Sequence, residues 1–517
     1  MMKQITTKIF ALCAVLSAVL AVCSSCNLEE REEILKVYNW GDYIDEDLLT
    51  EFEQWYEEQT GEKVRVIYQT FDINEVMLAK IENGHADFDV VCPSEYIVER
   101  MMRNNLLLPI LTPEFVQEIE DKDINYFECI SPYIKEQFSM LEAPEGQDPN
   151  DYAVGYMWGT TGILYNTKYV SDEEAHSWSL MFNPRLQNKI FVKDAFRDVY
   201  SPMLIYAKTL EARERGELGD EEMLPLETIR ELMYDSSDES IALVERYLNH
   251  MKELDLVAGW EADFGKEMMT QEKAWINLMW SGDAVWAIEE AAEVDVELAY
   301  AVPTEGSVVW FDGWVIPKYA KNRRAARYFI DYMCMPENAI RNMDATGYVS
   351  VISTEEVMDA MRYYEVSELE AMDEEELGGV VEEEELSYDE LMELATMPPV
   401  DLSYFFVDEE GAPITLSDDE GNKIVSADSL HIDDVLYPDL SVIERCGVMH
   451  DSGDHTDKML EMWSRVKGDN LSTGMFVGII IFFSALLIWG IWRKVDAYRK
   501  RQKHLKRRHH HTERKTK

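Results

Sequence analysis

The chain has 517 residues, enough for more than one domain with its own core. Its formal charge is −53; setting aside the +10 of residues 493–517 and the +2 of residues 1–26 leaves −65 on residues 27–470. Such a surface excludes nucleic acid as a partner, because phosphates need Lys and Arg, and it favours cations instead.

In chain order, Lys3 and Lys8 precede an apolar run over 9–22 that ends in Cys23-Ser24-Ser25-Cys26. A basic start, a short apolar middle and small residues before a Cys predict a lipoprotein-type signal peptide over 1–26, with Cys26 as the lipidated first residue. ILKVYNW alternates and predicts a strand. A helix with Leu48, Leu49, Phe52 and Trp55 on one face follows and stops at Thr60-Gly61. VRVIY reads as the next strand, then a helix with Val76, Met77, Lys80 and Ile81, then FDVVCPSEY as a third strand. Strand–helix–strand alternation predicts an α/β fold on a mostly parallel sheet, with ligands beyond the C-terminal strand ends, where NWGDY and PSEY fall.

YAVGYMWGTTGILYN is Gly-rich and aromatic. KIFVKDAFRDVY and WINLMWSGDAVWAIEEA each read as a strand entering a helix. AYAVPTEGSVVWFDGWVIPKYAKN predicts two short strands around Trp310-Phe311-Asp312, and AARYFIDYMCMPENAIRNMDATGYVS predicts helix, break, helix and a loop at Gly347-Tyr348. Residues 365–420 are crowded with acids and predict a weakly helical, solvated insertion. A last helix carries Leu460, Trp463 and Val466. Residues 471–492 have no charge and predict a transmembrane helix, with the basic tail 493–517 on the cytoplasmic side. The stretch between signal and span is therefore expected on the periplasmic side of the inner membrane. There Cys92, Cys129, Cys334 and Cys446 lie in a disulfide-permitting compartment, and their spacing fixes no pairing.

No G-x-S-x-G, H-E-x-x-H, P-loop or G-x-G-x-x-G occurs, so the sequence predicts neither an enzyme nor a cofactor. The six His of this stretch are scattered; His450, Asp451 and His455 are the closest approach to a metal pattern, and no metal site is expected. What recurs is an aromatic beside a carboxylate or hydroxyl on a loop after a strand: Trp40, Asp42 and Tyr43; Ser94 and Tyr96; Asp194 and Asp198; Trp280, Ser281 and Asp283; Trp310 and Asp312; Tyr348. An alkylammonium needs this mixture, with carboxylates for its charge, oxygens for its N–H donors and ring faces for its methylenes. Each ring taken singly reads equally as core.

At these residues the sequence resembles the periplasmic spermidine/putrescine-binding proteins of ABC importers. YNWGDYI, PSEY, WGTTGILYN, DAFRDVY, MWSGDA, WFDGWVIPKYAKN and GYVS follow that family's segments in order over most of 34–352, and the likeness resumes at 432–468. The resemblance implies a type II periplasmic-binding-protein fold: two α/β lobes joined by a hinge, closing on a polyamine delivered to permease subunits. Residues 34–155 and 311–352 would form lobe 1; 156–310 and 353–468 would form lobe 2. It implies Trp40 and Tyr43 in an aromatic wall with Asp42 near an amine, and Ser94 and Tyr96 from the same lobe. Asp194 and Asp198 would take a terminal amine, Trp280 would stack on the chain, Trp310 and Asp312 would grip the ligand, and Tyr348 would close the set. Gly41 replaces a frequent hydroxyl residue, Met449 stands where a polar amide is used, and one extra residue separates Asp194 from Asp198. These departures leave putrescine, spermidine or another amine open. A second reading is a membrane-anchored polyamine or organic-cation sensor signalling through the tail.

Overall fold

The expected first strand forms over Ile34–Trp40 (β1). The following helix, Asp47–Thr60, buries Leu48, Leu49, Phe52 and Tyr56 and ends where Gly61 takes φ 72°, a left-handed conformation glycine adopts without strain. Strand β2 (Arg65–Phe71) and the helix Asn74–Glu82 come next. Strand β3 is only Val90–Val91, shorter than FDVVCPSEY predicts: Pro93 has no N–H for a ladder, and Glu95 already opens the helix Glu95–Arg103. The structure, a computed structural model, describes residues 31–468 apart from 221, 262–263, 384–385, 409 and 418–421. The expected signal peptide with Cys26, the transmembrane helix at 471–492 and the basic tail lie outside the described residues. Among the described residues no helix is long and apolar enough to cross a membrane.

The remaining strands are β4 (Leu107–Leu108), β5 (Ala153–Asn166), β6 (Ile190–Lys193), β7 (Val257–Glu261), β8 (Ile276–Trp280), β9 (Leu298–Ala301), β10 (Ser307–Pro317) and β11 (Val349–Ser350). A small hairpin, β12 (Thr415–Ser417) with β13 (Lys423–Ser426), and β14 (Cys446–Val448) complete the set. One sheet runs in the order β2-β1-β3-β10-β5-β8-β6-β7. Its outer groups, β2-β1-β3 and β8-β6-β7, are parallel within themselves. The two long central strands are antiparallel to each other and to their neighbours in this order, while β14 adds to β10 in parallel, so the sheet is mixed rather than mostly parallel.

Strands β5 and β10 tie the two halves together. All 14 residues of β5 and all 11 of β10 are buried. Strand β5 pairs with β10 from Ala153 to Thr160 and changes partner to β8 at Thr161. Trp310-Phe311-Asp312, expected between two short strands, lies inside the single strand β10. The break felt in the sequence is a bulge: between Asp312 and Gly313 the register skips Tyr156 on β5. Gly159, the partner of Trp310, has to be a glycine, since a Cβ there would stand 2.5 Å from Ser281 Oγ and 2.6 Å from the Trp310 ring.

The predicted helix–break–helix appears as Arg323–Met333 and Pro336–Thr346, ended by Gly347 at φ 71°. In the acidic stretch, short helices at Val366–Ala371, Glu374–Glu383 and Tyr388–Leu394 share a small cluster around Leu369, Leu391 and Ala395. The stretch does not stay solvated to 420, because Leu402, Phe405 and Phe406 are fully buried in the main core. Phe405 stacks on Trp158 at 5.2 Å, and Ser131 and Ser353 both donate hydrogen bonds to its carbonyl. The last described helix is Thr456–Gly468. All four described cysteines are free thiols.

Candidate functional site

The loop after β1 divides its residues between two environments. Trp40 packs on Phe71 of β2 at 4.5 Å. Asp42 takes φ 49° and is exposed at the tip, while Tyr43 turns back and is buried. The return is fixed by the Tyr43 carbonyl, which accepts from Asn39 Nδ2 (3.2 Å) and from the hydroxyl of Tyr156, the residue skipped at the bulge (2.8 Å). So held, Tyr43 donates its own hydroxyl to Asp312 Oδ2 at 2.9 Å.

Asp312 receives a second donor from PSEY. Ser94 bridges it in the backbone, and Ser94 Oγ donates to Asp312 Oδ1 at 2.7 Å. Burial pushes the Asp312 carboxyl up to about 7, against these two hydrogen bonds, with the charge of Asp198 adding to the rise. The rings of Tyr43 and Trp310 each meet Tyr348 edge-on, at 5.0 and 5.7 Å. Tyr43, Ser94, Trp310, Asp312 and Tyr348 are therefore one assembly, drawn from four segments spread over more than 300 residues of sequence.

A second assembly stands on the other half of the sheet. Asp198 lies in the first turn of the helix Phe196–Glu214 and accepts from Trp280 Nε1 at 2.9 Å. Burial pushes its carboxyl up to about 6, opposed by the Trp280 bond and by the nearby charges of Arg197 and Lys193. Lys193, fully buried at the end of β6, lies 4.4 Å from the Trp280 ring centre and pairs with Asp283 at 2.6 Å and Glu261 at 3.4 Å. Burial alone would raise Asp283, but Lys193 and Lys266 outweigh it and hold the carboxyl below its ordinary value. Asp194 is half-buried after β6, with its backbone N–H on Glu261 O.

Tyr96 links the assemblies. Its hydroxyl donates to Glu75 Oε1 at 3.2 Å, and the Arg197 guanidinium lies 5.7 Å from its ring centre. Arg197 in turn donates to Ser452 Oγ and the His450 carbonyl. Asp198 raises the pKa not only of Asp312 but also of Glu75 and Glu95, after burial, which is the largest cause for each. Three carboxyls, Glu75, Glu95 and Asp312, thus sense the charge of Asp198. Glu95 is held well above the usual carboxylate range; its Oε2 accepts the Phe311 N–H at 3.0 Å, and its buried Oε1 has no hydrogen-bond partner among the described residues.

Sequence reasoning passed over Glu95, although it stands inside PSEY, and Asn74, Glu75, Lys193 and Arg197, which sit on helices or a strand end rather than on aromatic loops. The exposed tip residue Asp42 shares no hydrogen bond with either assembly among the described residues. His450 is occupied otherwise: it stacks on Tyr234 at 3.6 Å and faces Glu99 at 3.2 Å, while Asp451 pairs with Arg103 at 2.9 Å and His455 bonds the Ser236 carbonyl. Among the described residues no group of three or more His, Cys, Asp or Glu is placed to hold a metal ion.

The sequence pattern of the bacterial extracellular solute-binding proteins matches residues 51–362, more than half of the chain. The chain belongs to that family. Among relatives of this solute-binding protein, the spermidine/putrescine-binding periplasmic protein of Escherichia coli (strain K12) is 26% identical over 332 residues, covering 64% of this chain and 80% of the relative. The putrescine-binding periplasmic protein PotF of the same organism is 28% identical over 351 residues, covering 65% and 82%. In three dimensions the chain is similar to the spermidine/putrescine ABC transporter substrate-binding protein PotD from Streptococcus pneumoniae, with a TM-score of 0.50, 26% identity, and coverage of 84% of this chain and 98% of that one. The mixed sheet with its two parallel groups is the two-lobed α/β architecture of such binding proteins, with β5 and β10 as the shared strands.

Proposed function

We propose that this solute-binding protein captures a polyamine, spermidine or putrescine, between its two lobes on the periplasmic side of the inner membrane and delivers it to the permease subunits of an ABC importer. The observation that carries this reading is the pair of buried carboxylates, Asp312 on the shared strand β10 and Asp198 at the start of the helix after β6, each already bonded to an aromatic donor and each raised in pKa by burial. A polyvalent alkylammonium matches that arrangement: it supplies one charge per carboxylate and an apolar chain for the rings between them. The names of the relatives, spermidine/putrescine-binding and putrescine-binding, support the choice of ligand class.

In this reading residues 34–155 and 311–352 make lobe 1, and 156–310 and 353–468 make lobe 2. Asp312 grips one amine with Tyr43 and Ser94 holding it in place. Trp310, Tyr348, Trp40 and Tyr96 line the path. Asp198 and Asp194 take the other terminal amine, with Trp280 stacked on the chain and Asp42 at the rim. Contacts to both lobes make the closed arrangement the one the ligand prefers. Cys26 and the span at 471–492 would tether the protein beside its permease. Calorimetric titration of the full chain with putrescine and spermidine tests the proposal; heat of binding at micromolar ligand is expected, and no binding at millimolar ligand overturns it.

A further inference from the structure

Asn74 belongs to none of the roles above, yet both polar atoms of its amide are committed to two of those residues. The residue is 5% exposed. Its Nδ2 donates to Ser94 Oγ at 3.0 Å and to Tyr96 Oη at 3.1 Å, and its Oδ1 accepts the Ser94 backbone N–H at 3.4 Å. That last contact fixes the orientation of the amide: the atom facing a backbone N–H has to be the oxygen, or two donors would meet.

A hydroxyl carries one proton. With Nδ2 donating to its oxygen, Ser94 gives that proton to Asp312 Oδ1, and Tyr96 gives its own to Glu75 Oε1. We propose that Asn74 is a positioning residue that sets the direction of these hydrogen bonds, so that Ser94 presents a proton to Asp312 and keeps that carboxylate an anionic acceptor for a ligand ammonium. The inference rests on the polyamine reading of the same site. Ser94 and Tyr43 occupy one lone pair on each Asp312 oxygen and leave the others for the ligand.

Asn74→Asp is the decisive variant, because it exchanges one amide NH2 for an oxygen at constant shape. If only charge mattered, a new carboxylate beside a cation site would tighten polyamine binding. If direction matters, the carboxylate at 74 accepts from both hydroxyls and draws the Ser94 proton away from Asp312. At mildly alkaline pH, affinity for putrescine or spermidine is then expected to fall about tenfold or more despite the added charge. In a Ser94→Ala background most of that loss disappears, since the proton being redirected is gone. Melting temperatures establish that each variant is folded. Should Asn74→Asp not fold, Asn74→Ala in the same cycle serves: coupling to Ser94→Ala supports the proposal and strict additivity overturns it. Equal or tighter binding by folded Asn74→Asp also overturns it. A wild-type chain that binds neither amine removes the polyamine reading itself, which is a different failure.

Discussion

Asp312 and Asp198 are the same residue type, buried to nearly the same degree at 6% and 8% exposure, and they are held very differently. Asp312 sits inside a strand shared by both halves and receives two hydroxyl protons, from a loop 269 residues before it and a helix start 218 residues before it. Asp198 sits in a helix first turn, receives one indole proton, and has Arg197 and Lys193 in electrostatic reach. The first carboxylate is held by neutral donors, the second by an indole donor with neighbouring positive charge added. The lesson is that a buried anion can be kept in place either by neutral donors, which leave its full charge for a ligand, or by cations, which spend part of it.

That contrast orders the expected effects. Asp312→Asn removes a charge that no cation offsets among the described residues, so polyamine affinity should drop by about 2–5 kcal/mol by calorimetry; a change under twofold would show that Asp312 is not the main anchor. Asp198→Asn should cost less, about 1–2 kcal/mol, because Arg197 and Lys193 already screen it. If the two losses are equal, the contrast is wrong. Both carboxyls are raised above an ordinary value of 3.8, to about 7 and about 6, so protons compete with the amine. Affinity should hold at alkaline pH and fall as pH drops through about 7 and then 6, with protons released on binding above those of the buffer. A pH-independent affinity across that window would exclude both groups from the contact. Trp280→Phe keeps a ring but removes the indole donor on Asp198; a loss of a few-fold is expected, and the lower arm of the pH profile should move to higher pH.

Asp331 is the control, a buried carboxyl in the helix Arg323–Met333 that shares no hydrogen bond with either assembly among the described residues. It accepts the Tyr126 N–H at 2.8 Å, and burial pushes it up to about 8. A raised folded value means that the neutral form stabilises the fold, fully below the unfolded value of 3.8, with that contribution lost as pH rises through about 8. Asp331→Asn should therefore melt above wild type at alkaline pH, with the gap closing towards acid, and leave polyamine affinity unchanged. A loss of binding would mean that the carboxyl reaches the site after all.

Much of the site was legible because aromatics and carboxylates cluster in YNWGDYI, PSEY and WFDGW. What the sequence lacked was partnership. Asp42 and Asp312 read alike, each beside a Trp and a Gly, and only the backbone shows one exposed at φ 49° and the other buried between two hydroxyls. Asn74 and Glu75 were invisible for the opposite reason: they begin an ordinary helix, and their value comes from a turn 20 residues away. Strand existence followed from periodicity, but strand direction did not, since alternation is the same whichever way a neighbour runs. Trp310-Phe311-Asp312 suggested a break between two short strands where it lies beside a bulge within one. The acidic run hid SYFF, whose two Phe side chains fill the main core.

The residue skipped at that bulge sets a scale for the whole molecule. Tyr156 lies where β5 and β10 fall out of step, and its hydroxyl pins the loop that aims Tyr43 at Asp312. The proposed anchor for the ligand is thus built on the two strands that the halves share rather than out along an arm. Near a pivot, a shift of one bond length turns into a change of angle, and the far edges of the lobes travel further than the ligand does. In such a design the size of a small cation is read out as an opening angle at the rim, where a larger surface can sense it.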